Sequence, residues 1–235
     1  MKIKKLTLST SNLKDQINFY QKTLGFKLLK REREYAEFQI GNSVMRFEAA
    51  NESTPYHFAF NIPSFQEAEA LQWLRERVEI LDYENEEIIP FENWNARAIY
   101  FYDKDRNIVE FIARRNLGFQ EITPFTADSV VEISEIGLPV EDIVPLHDHL
   151  QSEMGISVYS GSTERFCAMG DERGLFIIVN TNKKDFWFPT DDTPLAADFK
   201  MTIYNNGQLF NVTFRNQNLF SHELKSNHYS FHELA

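Results

Sequence analysis

Residues 100–113 read YFYDKDRNIVEFIA, which is a charged turn between two apolar strands. The second strand carries one carboxylate, Glu110, between Val109 and Phe111. A glutamate flanked by branched and aromatic residues is costly in a protein core unless it has a partner. The stretch therefore predicts a pair of strands in which Glu110 either points to solvent or faces a positive group.

The composition indicates a chain with a large apolar core. Of its 235 residues 43% are hydrophobic, and the formal net charge is −11. The length suits one large domain or two small ones, and the negative charge disfavours nucleic acid as a partner. The single cysteine, Cys167, excludes an internal disulfide and suits a reducing compartment. No apolar run approaches the roughly 20 residues that cross a bilayer, and no signal-peptide core is present. We therefore expect a cytoplasmic protein without a membrane partner.

A unit of strand, helix and three strands recurs along the chain. The first copy opens with the alternating strand IKKLTLST and the helix SNLKDQINFYQKTLGF, and the second opens with YHFAFNI and SFQEAEALQWLRERV. A third copy runs from VEISEIGLPV to LFIIVN, and FKMTIYNNGQLFNVTF predicts a hairpin that turns at Asn206–Gly207. We expect two paired units, residues 1–115 with modules one and two and residues 129–235 with module three and a partial fourth, joined by a linker at 116–128.

Alternation along the first strand of each module separates its two faces. In the second module Phe58 and Phe60 share the face opposite His57 and Asn61. Each module should therefore form a small curved sheet with its helix on the apolar, convex face. Two modules side by side would leave their polar faces around a shared cavity, which we expect between modules one and two.

Three segments resemble the glyoxalase/bleomycin resistance/dioxygenase superfamily, also called the vicinal oxygen chelate superfamily. The string LTLSTSNLKDQINFYQKTLGF is similar to the opening of its members, and YHFAFNIPS and NARAIYFYDKDRNIVEF are similar to the second half. The resemblance implies an α+β fold of tandem βαβββ modules, here three modules plus a partial fourth, each a curved mixed sheet with a helix on its convex face. It also implies either a monomer that is an internal pseudo-dimer or a homodimer.

Enzymes of this superfamily hold a divalent metal through His and Glu side chains on the first and last strands of their modules. The resemblance places His57 and Glu110 at two such positions and Glu135 at the first-strand position of module three. In module one the same position holds Lys5, whose ammonium has no lone pair to offer a metal. We therefore expect an incomplete metal site, with Zn, Ni, Mn or Fe as the candidate ions.

Glu110 then has two candidate partners. It ligates a metal together with His57, or it pairs with the ammonium of Lys5 where the metal would sit. At about 4 Å and an effective dielectric constant near 20, such an ion pair attracts by roughly 4 kcal/mol before desolvation is subtracted. The ion pair needs no missing ligand, so it is the favoured interpretation.

Other side chains are candidates for binding a ligand. The first set lies in module one and comprises Lys5 on the first strand and Arg46 and Glu48, which share a face of the last strand, with the register left open. Aromatic side chains before the charged turn could wall a pocket for a planar ligand, and an arginine among them could bind a carboxylate or phosphate as a fork. Ordinary strand packing explains each of them equally well. This second set comprises Trp94, Arg97, Tyr100 and Tyr102.

Four further patterns carry weaker expectations. Glu132 lies three residues before Glu135 on one strand, so the two should face opposite sides. The string FWF at 186–188 should either pin a loop to the sheet of module three or cover a cavity mouth. His147 and His149 are two apart on a helix and make no joint site. His228 and His232 have metal-like i, i+4 spacing, but a polar tail favours solvated side chains.

These observations lead to three functional hypotheses. The first is a superfamily member that binds a small molecule in the cavity between modules one and two, with an incomplete metal site. The second is a metal-dependent lyase, dioxygenase or resistance transferase that uses His57 and Glu110. The third is a degenerate, non-catalytic interaction protein.

Overall fold

The computed structural model describes residues 1–224, which form three modules of one plan and a partial fourth. Module one comprises β1 (Lys2–Thr10), α1 (Leu13–Asn18), β2 (Leu28–Arg31), β3 (Tyr35–Ile40) and β4 (Ser43–Ala49). Module two comprises β5 (His57–Ile62), α2 (Glu67–Arg75), β6 (Ile80–Leu81), β7 (Ile89–Phe91), β8 (Ala96–Tyr102) and β9 (Ile108–Arg114). Module three comprises β10 (Glu132–Val140), α3 (Val144–Met154), β11 (Val158–Gly161), β12 (Phe166–Asp171) and β13 (Gly174–Asn180). The partial fourth comprises β14 (Phe199–Asn205), β15 (Gln208–Arg215) and β16 (Asn218–Leu224).

The predicted α+β fold of repeated βαβββ modules is confirmed. The first hairpin of the partial fourth module turns at Asn206 and Gly207, as the Asn-Gly pair predicted. Both residues have positive φ, of 48° and 86°, which is the conformation that tight hairpin turns require of their central pair. No helix within residues 1–224 has the length and apolar character to span a membrane.

The strands form two large mixed sheets, and their order corrects the predicted pairing of modules. The first sheet has the order β16-β15-β14-β1-β4-β3-β2, and the second has β11-β12-β13-β10-β5-β9-β8-β6. Module one thus shares a sheet with the partial fourth module, and module two shares one with module three, through the antiparallel pair β5–β10. The expectation that modules one and two enclose a common cavity is therefore wrong.

This correction has a plain physical cause. Alternation along a strand determines which side chains share a face, but it carries no information about which strand lies alongside. Both sheets take strands from each of the predicted units, 1–115 and 129–235. The division of the chain at the linker stays a prediction.

The larger of two apolar clusters joins the modules. It contains buried aromatic side chains from both sheets, such as Phe47 of β4 and Phe60 of β5, with Tyr20 packed 4.9 Å from Phe47 between ring centroids. A second, smaller cluster lies on the other face of the second sheet and includes Tyr100, Ile177 and Trp187. The candidate site lies on this second face.

The charged turn of residues 103–107 ties module one to module two. The carboxylate of Asp103 is buried, and its Oδ2 accepts hydrogen bonds from the Tyr20 hydroxyl (2.9 Å), Gln16 Nε2 (3.0 Å) and Asn107 Nδ2 (2.8 Å). Its Oδ1 accepts from the backbone N–H groups of Asp105 and Asn107, both at 3.0 Å. The Asp103 side chain therefore stabilises the turn that leads into β9 and also links this turn to Gln16 and Tyr20 of module one.

Candidate functional site

Three buried donor side chains meet on the second sheet. His57 lies on β5, Glu110 on β9 and Glu135 on β10, which are neighbouring strands in the order β10-β5-β9. Ala59 pairs with Glu110 on one side and with Glu135 on the other, so the two carboxylates flank the strand that carries His57. One donor atom from each side chain lies within 4.8 Å of the other two. The cluster therefore crosses the junction of modules two and three.

His57 is oriented for ligation by the backbone. Its Nδ1 lies 3.3 Å from the carbonyl oxygen of Ile108. Since a carbonyl can only accept, this hydrogen bond requires the proton on Nδ1 and leaves the lone pair on Nε2, which lies 3.6 Å from Glu110 Oε2. Burial lowers the pKa of His57 to about 4, although the hydrogen bond to the Ile108 carbonyl acts to raise this pKa. The ring is thus neutral at pH 7, the form that binds metals.

The two carboxyl groups are electrostatically strained. Burial, and next the charge of Glu135, raise the pKa of Glu110 well above its usual value. Burial raises the pKa of Glu135 to about 7, although the positive charge of Arg114 acts to lower this pKa. Two buried carboxylates this close disfavour joint ionisation unless a cation lies nearby.

Arg114 is the cation that the sequence analysis missed. It is fully buried at the end of β9, forms a salt bridge with Glu135 and donates from Nε to Asn61 Oδ1 at 3.3 Å. Its guanidinium lies 5.3 Å from the ring of Trp94. Arg114 stands four residues after Glu110 on the same strand, and this even spacing was a readable signal that the two side chains share a face.

Lys5 does not reach this site, so the predicted ion pair between Lys5 and Glu110 is wrong. Lys5 lies on β1 of the first sheet and donates to Glu37 Oε1 at 2.5 Å. Arg46 bonds the same oxygen at 3.2 Å and pairs with Glu48 at 2.7 Å. The cause is the sheet order, because β1 pairs with β14 and β4 and not with a strand of module two. That Lys5, Arg46 and Glu48 bind a ligand stays a prediction.

A cavity of about 510 Å³ opens on the three donors. Its walls are largely aromatic, and Lys184 and Glu92 also line it. The aromatic lining residues are Phe91, Trp94, Tyr100, Phe166, Trp187 and Phe188. This combination of an apolar wall and a few convergent polar groups is typical of small-molecule sites.

The four residues predicted to wall a pocket divide into two pairs. Trp94 and Tyr100 line the cavity, and the Tyr100 ring lies 6.4 Å from that of His57 between ring centroids. Arg97 is exposed and lies 3.8 Å from the carboxylate of Glu67. The Tyr102 hydroxyl donates to Asp192 Oδ2 at 2.6 Å and so anchors the segment 181–198 that follows β13.

This segment covers the cavity, which is one of the two alternatives that its FWF string offered. Trp187 is only 5% exposed and its ring centroid lies 5.0 Å from that of His57, while Phe186 is 52% exposed. Trp187 fits because Gly137 lies beneath it, and a Cβ built on Gly137 would stand 2.9 Å from the indole ring. A glycine inside a strand often marks such a close approach, a signal present in the sequence.

Replacing Gly137 with alanine is expected to lower the free energy of unfolding by about 1–3 kcal/mol, since the added methyl displaces the Trp187 ring from a packed site. Urea unfolding measures the loss, and tryptophan fluorescence should shift to the red as Trp187 gains solvent. Ser134→Ala is the matched control, because the Ser134 hydroxyl on the same strand is buried without a hydrogen-bond partner in the described residues. Equal stability of Gly137→Ala and the native protein would contradict the close approach.

Glu132 and Glu135 share a face, which corrects the expectation that they point to opposite sides. The pairing with β5 shifts between Ile133 and Glu135, so an extra residue restores the phase of the strand. Glu132 accepts two hydrogen bonds from Arg173, at 2.9 and 2.7 Å. Glu132 therefore forms an ion pair with Arg173 that is separate from the donor cluster.

His147 and His149 do not belong to this cluster. His147 contacts Asp148, and His149 contacts the hydroxyl of Ser221. His228 and His232 lie outside the described residues. Cys167 is buried in the core.

Comparison with known proteins places the fold. Residues 2–111 match the family model of the Glyoxalase/Bleomycin resistance protein/Dioxygenase superfamily. A candidate dioxygenase from Bacillus subtilis superposes with a TM-score of 0.63 at 13% identity, covering 97% of this chain and 86% of that one. At this identity the likeness shows the fold alone. No curated protein matches the chain.

Two further solved structures match about half of the chain. A lactoylglutathione lyase from Agrobacterium tumefaciens has a TM-score of 0.41 and 18% identity, covering 50% of this chain and 96% of its own. A mutant of the fosfomycin resistance protein FosX from Listeria monocytogenes, complexed with Mn(II) and a dihydroxypropylphosphonic acid, has a TM-score of 0.38 and 23% identity, covering 48% of this chain and 90% of its own. Residues 2–111 thus belong to the Glyoxalase/Bleomycin resistance protein/Dioxygenase superfamily, and the chain as a whole shares the fold of the Bacillus subtilis protein.

Proposed function

We propose that this chain binds a divalent metal through His57, Glu110 and Glu135 and a small organic ligand in the cavity above them. The observation that carries the proposal is the placement of three buried donors on adjacent strands, within 4.8 Å of one another, at an aromatic cavity. The binding cavity thus lies between modules two and three. The strand that pairs with β5 from another module is β10, which brings Glu135 to the site, and not β1, which would have brought Lys5. The site therefore has three donor side chains.

The chemistry of the donor set fits a divalent ion. A neutral imidazole with its lone pair on Nε2 and two carboxylates are ligands that Mn²⁺, Fe²⁺ and Zn²⁺ accept, and the excess of oxygen favours Mn²⁺ or Fe²⁺. Two surrounding residues hold these ligands in place: the Ile108 carbonyl orients His57, and Arg114 fixes Glu135. When bound, the ion would supply Lewis-acid polarisation of a ligand oxygen. Such a site suits the hypothesis of a metal-dependent lyase, dioxygenase or resistance transferase.

One observation favours a second candidate, a metal-free binding protein. The salt bridge of Arg114 already compensates the charge of Glu135, so the cavity is electrostatically tolerable without an ion. In that case the cavity would bind its ligand without chemistry. The cavity itself speaks against the third hypothesis, a purely structural interaction protein.

Elemental analysis of protein purified without chelator separates the two candidates. We expect a near-stoichiometric transition metal, and in chelator-treated protein a rise of the melting temperature on adding Mn²⁺, Fe²⁺ or Zn²⁺. An ion present at 100 times its Kd stabilises the folded state by about 2.7 kcal/mol. Glu135→Gln should abolish the rise, whereas Glu132→Gln, the matched control on the same strand, should keep it. A metal-free preparation that no divalent ion stabilises would leave the metal-free binder as the function.

A further inference from the structure

A positively charged side chain stands at the cavity with no carboxylate beside it. Lys184 lines the cavity, is half-buried and holds its Nζ 5.4 Å from the ring centroid of Trp187 and 5.6 Å from that of Phe166. Among residues 1–224 no carboxylate oxygen lies within 4.0 Å of this amine. Two aromatic rings therefore hold the amine at the cavity without an ionic partner.

The charged neighbours of Lys184 increase the cost of that arrangement. Burial lowers its pKa, and the nearby positive charge of Arg165 lowers it further. The carboxylates that line the same cavity are Glu92, which is exposed, and the pair Glu110 and Glu135 among the donors. A half-buried cation beside a second cation is unfavourable unless an anion joins them.

The walls of the cavity add the second requirement for a ligand. Six aromatic side chains and Ile112 and Ile177 surround a volume of about 510 Å³, which suits the flat, apolar body of a small organic molecule. With a divalent ion on the three donors, and Arg114 and Lys184 nearby, the formal charge around the ligand would be positive. The aromatic walls and the positive charge together favour one class of ligand.

We infer that the cavity selects small molecules that join an aromatic or other planar apolar body to an anionic oxygen group, and that Lys184 binds the anion. This rests on the proposed function of the cavity as a ligand site. It adds a specificity-determining residue that is separate from the metal donors.

A matched pair of probes tests the inference. Calorimetric titration compares 2-naphthoate with its neutral analogue 2-naphthamide at pH 7.5, with Mn²⁺ and with chelator. We expect naphthoate to bind about tenfold more tightly, the effect of one partly desolvated charge contact. Lys184→Gln should reduce this preference to about threefold or less, and Lys184→Arg should keep most of it. Lys183→Gln is the control, since Lys183 is adjacent and exposed.

The outcomes separate the two proposals. A preference that depends on Lys184 and persists in chelator supports the inference whether or not a metal binds. Probes that bind equally well, or a preference unchanged in Lys184→Gln, overturn the inference and leave the cavity as a ligand site. Failure of both probes to bind any form of the protein overturns the inference together with the binding role of the cavity.

Discussion

Replacing Arg114 with methionine is expected to lower the free energy of unfolding at pH 7 by about 3–5 kcal/mol in protein freed of divalent ions, the usual cost of breaking a buried ion pair from one side. Methionine keeps much of the apolar stem but removes the guanidinium that pairs with Glu135 and donates to Asn61. Glu135 and Glu110 then remain buried beside each other without a counter-charge. Urea unfolding in chelator measures the loss.

The loss should depend on pH with a definite sign. Burial raises the pKa of Glu135 to about 7, and removal of the Arg114 charge raises it further. In the native protein this carboxyl group is partly ionised at pH 7 and protonated at pH 5, whereas in the folded variant it stays protonated at both. The deficit in unfolding free energy of the variant relative to the native protein therefore narrows as pH falls from 7 to 5. Arg75→Met, which removes an exposed partner of Glu87, is the control and should leave the free energy of unfolding nearly unchanged at either pH.

A divalent ion should rescue the variant. A cation on His57, Glu110 and Glu135 would replace the charge that Arg114 supplied, so Mn²⁺ should stabilise Arg114→Met more than it stabilises the native protein. A variant as stable as Arg75→Met would show that Arg114 does not compensate the buried carboxylates. A variant that loses stability without gaining from any ion would count against the metal site and leave the ion pair intact as a structural feature.

The modules could be predicted from the sequence because each strand has a clear alternation and each helix a clear stripe. Which modules share a sheet could not be predicted from the sequence. Lys5 and Glu135 occupy corresponding positions on β1 and β10, and both first strands show similar alternation. Only the contact of β10 with β5 selects Glu135 as the partner of His57, and that contact depends on long-range packing that no local pattern encodes.

Two other errors have local causes. Simple alternation put Glu132 and Glu135 on opposite faces, but one extra residue near Ser134 restores the phase, and bulges leave weak sequence signals. Arg114 was not singled out as a site residue, although its even spacing from Glu110 indicates a shared face. The charge that Glu110 requires was thus present on its own strand, four residues away.

Replacing Asp103 with alanine is expected to lower the free energy of unfolding by about 3–5 kcal/mol, since several buried donors would lose their acceptor at once. The side chains left without it are Tyr20, Gln16 and Asn107, which belong to both modules one and two. Asp105→Ala is the control, because Asp105 is half-exposed and accepts from Asn12 and Gln16. It should cost about 1 kcal/mol or less, as for other exposed polar contacts.

A double-mutant cycle assigns the loss to the contact between modules. Tyr20→Phe alone should cost about 0.5–1.5 kcal/mol, and in the Asp103→Ala background it should cost less, because the hydroxyl has already lost its acceptor. Additive losses would show that the Tyr20–Asp103 hydrogen bond does not stabilise the fold. The turn also leads directly into β9, which carries Glu110. If Asp103→Ala weakens Mn²⁺ binding as well as the fold, the same turn that joins the modules also sets the register of the donor on β9.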